Sequence, residues 1–425
     1  MAMSQDGFLK IIFNENIDQS ERQRILPFGN SEIYEAKIKD VLKLTQGEDV
    51  KDIYDIALDT EGISYSFEPG DTIGILPSND INEVIQIFEC LESSELINKK
   101  CSIMLLEPKK NRLVSHLPVN TTLNDVFLRC VDIRTPPKKT FLKILMKYTE
   151  NAEERSILEK LSSPSNSEDY IAFISNNGRR LLDLLQTFPS CKVPIEKLLE
   201  NLPPLQPRPY SISSSPLLKG ELHVTFSVEY FENSERKIKG VCTGWLENII
   251  NNLAEINEDY RVKFYFRKPN SFRLNSNNPI IMIGPGTGVA PFVGFLQHLS
   301  LEGRNLETWL FYGCRYQNKD YLYKNDLEKY LKENCLKKLS VAFSRDQDIK
   351  VYVQDLIKNE TGQIYKKIVE ENASVYVCGD LKDMMKDVKI SIRYCLINNG
   401  MTADEADSFI SDMIKMNKYV EDKWF

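Results

Sequence analysis

Apolar residues between Ile33 and Leu76 fall in short alternating runs broken by turn residues. Ile53 to Asp59 alternates, Ser64 to Phe67 leads into Glu68-Pro69-Gly70-Asp71, and Thr72 to Leu76 follows. Such runs predict antiparallel strands of a barrel or sandwich. From Ile81 to about residue 200 the spacing becomes helical. Predicted helices begin at Asn82 and cover Lys138–Tyr148, Ala152–Leu161, Ile171–Phe188 and Pro194–Leu199, with a polar break at 163–169. Strand-like text resumes at Tyr210 and at Leu222–Tyr230, followed by a charged turn from Phe231 to Lys239. Residues 81–200 therefore read as a helical insertion between two parts of an antiparallel barrel, 30–80 and 201–274. Residues 1–29 are polar and irregular and read as tail or linker.

Beyond Asn275 strands and helices alternate. Strands are predicted at Ile280–Ile283, Thr308–Tyr312, Ser340–Phe343 and Ser374–Cys378, and helices at Leu322–Leu331 and Asp383–Leu396. That rhythm predicts a doubly wound parallel sheet over 275–425. The fold class expected is thus an α+β barrel domain with a helical insertion, then an α/β domain. The uncharged run Pro279–Leu296 has the length of a membrane span. Its four Gly and three Pro, with Gly284-Pro285-Gly286-Thr287-Gly288 at the centre, fit a buried strand, tight loop and helix start instead.

Composition narrows the function classes. At 42% hydrophobic and 27% charged residues the chain resembles an ordinary globular protein, and 425 residues allow two or three domains. A net charge of −7 argues against a nucleic-acid grip and is compatible with a basic docking partner. The nine cysteines include no C-x-x-C pair, which favours reduced thiols in the cytoplasm. His116, His223 and His298 lie far apart, with no metal-ligand spacing. The first ten residues lack the apolar core of a signal peptide.

Five places carry candidate chemistry. Arg208-Pro209-Tyr210-Ser211 reads either as a strand start or as a flavin clamp, with Arg for a pyrophosphate, Tyr to stack on the ring and Ser near its reactive nitrogen. Gly240-Val241-Cys242-Thr243 opens a helix, as a phosphate site or as a plain cap formed by Thr243. The Gly284–Gly288 loop lies between strand and helix, where a nucleotide pyrophosphate would lie, or is purely a turn; it is not the G-x-G-x-x-G pattern. Ser344, Arg345, Lys350, Tyr352 and Gln354 offer hydroxyl and cationic donors for a 2′-phosphate, favouring NADPH over NADH, or form a solvated basic turn. Cys378 at a strand end is a small core residue or a thiol that steers hydride transfer, and Trp424 is a docking anchor or a flavin cover.

These motifs, in this order, resemble the NADPH–FAD half of the diflavin reductases, a branch of the ferredoxin–NADP reductase superfamily. The likeness runs from about Ile33 to the end. It rests on IRTPPKKTFL (133–142), TFPSCKVP (187–194), LQPRPYS (205–211), GVCTGWL (240–246) and PNSFRL (269–274). The resemblance implies that the helical insertion is a connecting domain. It implies FAD contacts at Arg208, Pro209, Tyr210, Ser211, Tyr230, Gly240, Val241, Cys242 and Thr243, with Trp424 shielding the flavin. It implies NADPH contacts at Gly286, Thr287, Ser344, Arg345, Lys350, Tyr352, Gln354 and Asp387. Ser211, Cys378 and Asp422 become the group around hydride transfer, with Trp424 gating it. Phe425 stands where these enzymes typically end in a small residue. No flavodoxin-like segment precedes Ile33, so FMN is expected on a separate or missing module. The implied partners are that FMN domain and then the cobalamin of methionine synthase. A haemoprotein or sulfite reductase acceptor is the alternative, and a non-catalytic nucleotide-sensing module is the alternative of another class.

Overall fold

The computed structural model describes residues 7–16, 32–232, 236–253, 260–267, 271–274, 277–380 and 383–424. The chain divides into two compact units, residues 1–30, 76–208 and 229–253 in the first and 31–75, 209–228 and 254–425 in the second.

The first unit is mostly helical. Ile81–Cys90 begins where the Asp80 carboxylate accepts from the amides of Asn82 and Glu83, and it buries Val84, Ile87 and Phe88 at helical spacing. Phe88 packs edge-on to Phe127 at 5.0 Å, inside a core that gathers the leucines of the later helices. Helices at Lys139–Lys147, Ala152–Ser162 and Ile195–Asn201 match the periodicity. The single helix expected over Ile171–Phe188 is two pieces, a π-turn at Ile171–Ser175 and a helix at Leu181–Thr187. Asn176-Asn177-Gly178 separates them, and Gly178 sits at φ 53°, where a helix cannot continue.

The tail expected over 1–29 needs correction. Leu9–Phe13 is a strand, antiparallel to Lys100–Leu105, which pairs in turn with Asn120–Thr122. Leu9 and Ile11 face the core while Lys10, Ile12 and Phe13 face out, an alternation only four residues long. Residues 1–6 and 17–29 of that expected tail lie outside the described residues. The turn expected at 231–239 contains a hairpin, Tyr230–Glu232 against Lys237–Lys239. The preceding strand stops at Ser227, so Tyr230 opens the hairpin rather than ending that strand.

The second unit holds the antiparallel sheets and the parallel sheet. One antiparallel sheet runs Tyr34–Ala36, Val262–Phe266, Thr72–Ile75, Arg208–Ser211; the other runs Ile38–Lys43, Ile53–Asp59, Glu221–Ser227. A bridge from Ile212, just past Arg208–Ser211, to Val224 within Glu221–Ser227 joins the two. The five-stranded sheet is parallel throughout, in the order Lys338–Phe343, Thr308–Cys314, Ile280–Ile283, Ser374–Asp380, Tyr419–Trp424. Its central strands are buried on both faces, as continuous apolar runs such as Ile280–Ile283 require. Strand order reverses between Ile280–Ile283 and Ser374–Asp380, and a crevice for ligands opens at such a switch point, beyond the carboxyl ends. The uncharged run 279–296 is here a strand, a 3₁₀ turn at Gly286–Val289 and the helix Ala290–Glu302.

Candidate functional site

At the switch point the backbone is drawn tight. A Cβ on Gly288 would lie 2.3 Å from the carbonyl oxygen of Cys378, and one on Gly284 would lie 2.4 Å from that of Gly288. Gly379 sits at φ 148°. Only glycine permits the loop Gly284–Gly288 to close on the strand end carrying Cys378. Gly286 and Thr287 are the contacts expected in this loop; Gly288 and Gly379 were not among them, their signal being simply a further glycine on each side of the switch. Gly286 turns through φ 55° with open space where a side chain would be, and Thr287 is half-buried in the 3₁₀ turn.

Three predicted residues meet beside this loop. The parallel register pairs Cys378 with Asp422 on the neighbouring strand. Ser211 Oγ donates to Asp422 Oδ2 at 2.7 Å, and Cys378 Sγ donates to the same oxygen at 3.7 Å. Ser211 and Cys378 are both buried. Burial, with the Asp422 charge and hydrogen bond adding to it, pushes the Cys378 thiol well above the ordinary thiol range, so it stays protonated and donates. The result is a half-buried carboxylate held by two neutral donors. It can place fixed negative charge in the crevice and hold a hydroxyl and a thiol in set orientations.

Tyr210, one residue before Ser211, is half-buried, with its ring edge-on to Phe226 at 6.3 Å. Pro209 beside it is exposed. Trp424 closes the last strand opposite Asp380 in register; its side chain, like Phe425, lies outside the described residues.

Of the remaining nucleotide candidates, Ser344, Arg345, Lys350, Tyr352 and Gln354 follow the strand Lys338–Phe343, and Asp387 lies in the helix Met384–Asn398. Ser344 is anchored by its amide and hydroxyl to Cys314 O, at 2.9 and 3.3 Å. The Arg345 amide bonds Arg315 O at 2.9 Å, which turns its side chain outward, exposed. Lys350 is exposed as well, and among the described residues neither cation has a carboxylate partner. Tyr352 caps the helix Val353–Asn359, its amide donating to Asp355. Gln354 Nε2 reaches Asp387 Oδ2 at 3.4 Å. Two exposed cations and a hydroxyl within residues 344–350 are donors of the kind that suits a phosphate monoester.

In the first unit the amide of Gly240 bonds Glu229 O at 2.7 Å, and the helix Val241–Asn251 follows. Gly240 is the N-cap, not Thr243, whose Oγ1 accepts from the Glu229 amide at 3.1 Å. Cys242 and Thr243 are buried and Val241 partly so. The amides of residues 241–243 stand in a first turn where no intrahelical acceptor exists, and the missing side chain at 240 leaves backbone approach open; this suits a pyrophosphate. Arg208, in the same unit, donates from Nη1 to Gln206 O at 2.7 Å, which orders its guanidinium. Tyr230 carries Lys237 over its ring at 4.5 Å. Of PNSFRL, Pro269 and Asn270 lie outside the described residues. Among the described residues no group of three or more His, Cys, Asp or Glu could hold a metal ion, and no helix is long and apolar enough to cross a membrane.

The family model of the FAD binding domain matches residues 26–245, and that of the oxidoreductase NAD-binding domain matches 282–389. Methionine synthase reductase of Mus musculus is 35% identical over 98% of this chain, and that of Homo sapiens 34%; the chain spans 64% of the length of each. NADPH–cytochrome P450 reductase of Rattus norvegicus is 35% identical over 94% of the chain and 59% of its own length. The chain thus spans under two thirds of the curated relatives it matches.

Proposed function

The chain belongs to the FAD binding domain family, with an oxidoreductase NAD-binding domain after it, and on that premise we propose that it is an NADPH-dependent flavoprotein reductase. Its cofactors are FAD and NADPH, and its immediate acceptor is an FMN-binding domain. The observation that carries the reading is the Ser211–Asp422–Cys378 cluster at the switch point of a nucleotide-binding sheet. When bound, FAD supplies the exchange between a hydride from NADPH and single electrons for the acceptor.

The chain's own residues do the rest. Arg208 and the first-turn amides after Gly240 bind phosphate, and Tyr210 offers a ring face. Arg345, Lys350 and Ser344 take the 2′-phosphate, with Tyr352, Gln354, Asp387, Gly286 and Thr287 lining the same nucleotide. Ser211 and Cys378 orient by hydrogen bonding, and Asp422 holds negative charge suited to a ring that becomes cationic on oxidation. Burial around Cys378 excludes water from the crevice.

The finer assignment follows the relatives. Methionine synthase reductase is the name at 35% identity over nearly the whole chain, which supports methionine synthase and its cobalamin as the terminus of the electron path. The similar identity to NADPH–cytochrome P450 reductase favours a haemoprotein acceptor as the second reading. The scattered free thiols suit the reducing cytoplasm.

The test is the visible spectrum of the FAD-reconstituted protein, followed anaerobically. NADPH should bleach the flavin and NADH should do so far more slowly. Flavin that binds but does not bleach would overturn the reductase reading in favour of a sensing module. Protein that takes up no FAD would overturn both. FMN domains from the two reductase types, added to the reduced protein, separate the two acceptors.

A further inference from the structure

Arg273, the cationic residue of PNSFRL, has no part in the function above, yet it stands at a junction. It lies in the segment that leaves the antiparallel sheet after Phe266 and enters the parallel sheet at Ile280. Its guanidinium makes a two-point bond to Asp71, Nε to Oδ1 at 2.8 Å and Nη2 to Oδ2 at 2.7 Å. Nη1 reaches Glu68 at 3.0 Å. Asp71 is buried, and its Oδ2 also accepts from the Glu68 amide at 2.9 Å. Gly70 lets the two chains touch, because a Cβ there would fall 1.8 Å from Phe272 O.

Two backbone bonds lead from this clamp to the reactive cluster. The carbonyl of Asp71 accepts from the amide of Ile212 at 3.1 Å, next to Ser211. The carbonyl of Arg273 accepts from the Tyr376 hydroxyl at 2.9 Å, on the same strand as Cys378 and two residues before it. Phe272 anchors the segment between Phe292, Phe295 and Tyr376. Ser211 and Cys378 belong to different sheets, and both bond one oxygen of Asp422. Their spacing therefore depends on what ties the sheets together near them.

We infer that Arg273, through Asp71 and Tyr376, is a positioning residue that sets the placement of Ser211 against Cys378 and Asp422 for flavin reduction; this rests on the reductase reading above. A planar fork on a carboxylate fixes two angles as well as a distance, which a lysine cannot do.

The experiment compares the parent with Arg273→Lys and Tyr376→Phe, each loaded with FAD. Anaerobic stopped-flow mixing gives the limiting rate of flavin reduction and the NADPH concentration at half that rate. A misplacement of about 1 Å costs up to about 100-fold, so the limiting rate should fall by roughly 10-fold or more, while the half-saturating concentration stays within about 2-fold. A second readout needs no cofactor. Iodoacetamide labelling of the apoprotein, resolved by peptide mass, should speed up several-fold at Cys378 and stay unchanged at Cys395, buried elsewhere in the same unit. A general loss of packing would release both thiols together. Tyr376→Phe keeps the ring and serves if Arg273→Lys does not fold. An unchanged limiting rate, or unchanged or equal labelling of the two thiols, in a folded variant overturns the inference. Failure of the parent itself to bleach with NADPH would overturn the reductase reading instead.

Discussion

The sharpest consequence of the site concerns Arg345. Its amide is tied to Arg315 O, its side chain is exposed, and among the described residues it has no carboxylate to neutralise it. A 2′-phosphate carries nearly two negative charges at neutral pH and can meet a guanidinium at two points. A hydrogen bond to a charged group contributes about 1.5–3 kcal/mol net. Taking about 2 kcal/mol for this exposed pair, Arg345→Ala should raise the KM for NADPH by about 30-fold, since about 1.4 kcal/mol is tenfold. Arg345→Lys should recover part of that, because charge remains while the fork is lost. Lys350→Ala should cost less, about 5-fold, as a solvated point charge. NADH lacks the phosphate, so its KM should move by less than about 2-fold in all three. Initial rates of ferricyanide reduction against each nucleotide measure this directly. Raising salt from about 0.1 M to about 1 M shortens the screening length from about 10 Å to about 3 Å, and should weaken NADPH more in the parent than in Arg345→Ala. Equal losses for NADPH and NADH in Arg345→Ala would refute the assignment of this turn to the 2′-phosphate.

Three other outcomes follow from the same geometry. Cys378→Ala and Ser211→Ala should each slow flavin reduction by about 10-fold or more, and the parent's rate should show no inflection near the ordinary thiol pKa of about 8.5; an inflection there would mean that a thiolate works. Trp424→Ala should accept NADH far better than the parent, read as the ratio of kcat/KM for the two nucleotides, and an unchanged ratio would remove the gating role. Two of the three histidines, His116 and His223, should give opposite pH dependences of the thermal midpoint. Burial pushes His116 down to about 4, with its Nε2 unpartnered, so the unfolded chain takes the proton first and stability is lost as pH falls from about 6.5 towards 4; His116→Phe should flatten that limb. At His223 burial pulls downward, but the hydrogen bonds and charges of Asp55 and Glu221 outweigh it and raise the pKa. Its contribution is full below about 6.5 and is lost as pH rises through the raised value, so His223→Gln should flatten the alkaline limb.

The parallel sheet was legible because burial on both faces forces continuous apolar runs, and Ile280–Ile283 is a strand as read. Helices with one apolar face, such as Lys139–Lys147, were legible for the same kind of reason. Leu9–Phe13 was not, because its partner Lys100–Leu105 lies some ninety residues on and no local signal announces the pairing. The break at Asn176–Gly178 was hidden by apolar periodicity on both sides, although a glycine at positive φ ends a helix. The helix Ala403–Lys415 was missed despite its capping box, in which Thr402 and Glu405 bond each other reciprocally. At the site, the motif positions were readable as motifs. The hydrogen bond from Ser211 to Asp422 joins residues 211 apart, and the Arg273–Asp71 clamp joins residues 202 apart. Pairings at that separation are set by topology, which no local spacing encodes.

That topology also decides which chemistry the thiol can perform. A nucleophilic cysteine needs exposure and a lowered pKa, usually from a cation or a free helix N-terminus. Cys378 has the reverse: complete burial, a carboxylate as its neighbour, and a pKa driven upward. Those conditions keep the proton on sulfur across the working range, so the thiol acts as a compact hydrogen-bond donor rather than a base or an attacking group. Ser211 offers the same kind of donor from the other sheet to the same Asp422 oxygen. A carboxylate restrained by two neutral donors keeps its orientation fixed, and an electrostatic site works by having its groups oriented before the substrate arrives. The buried free cysteine, which composition alone would assign to the core, is thereby part of the polar site because a parallel register sets it opposite Asp422.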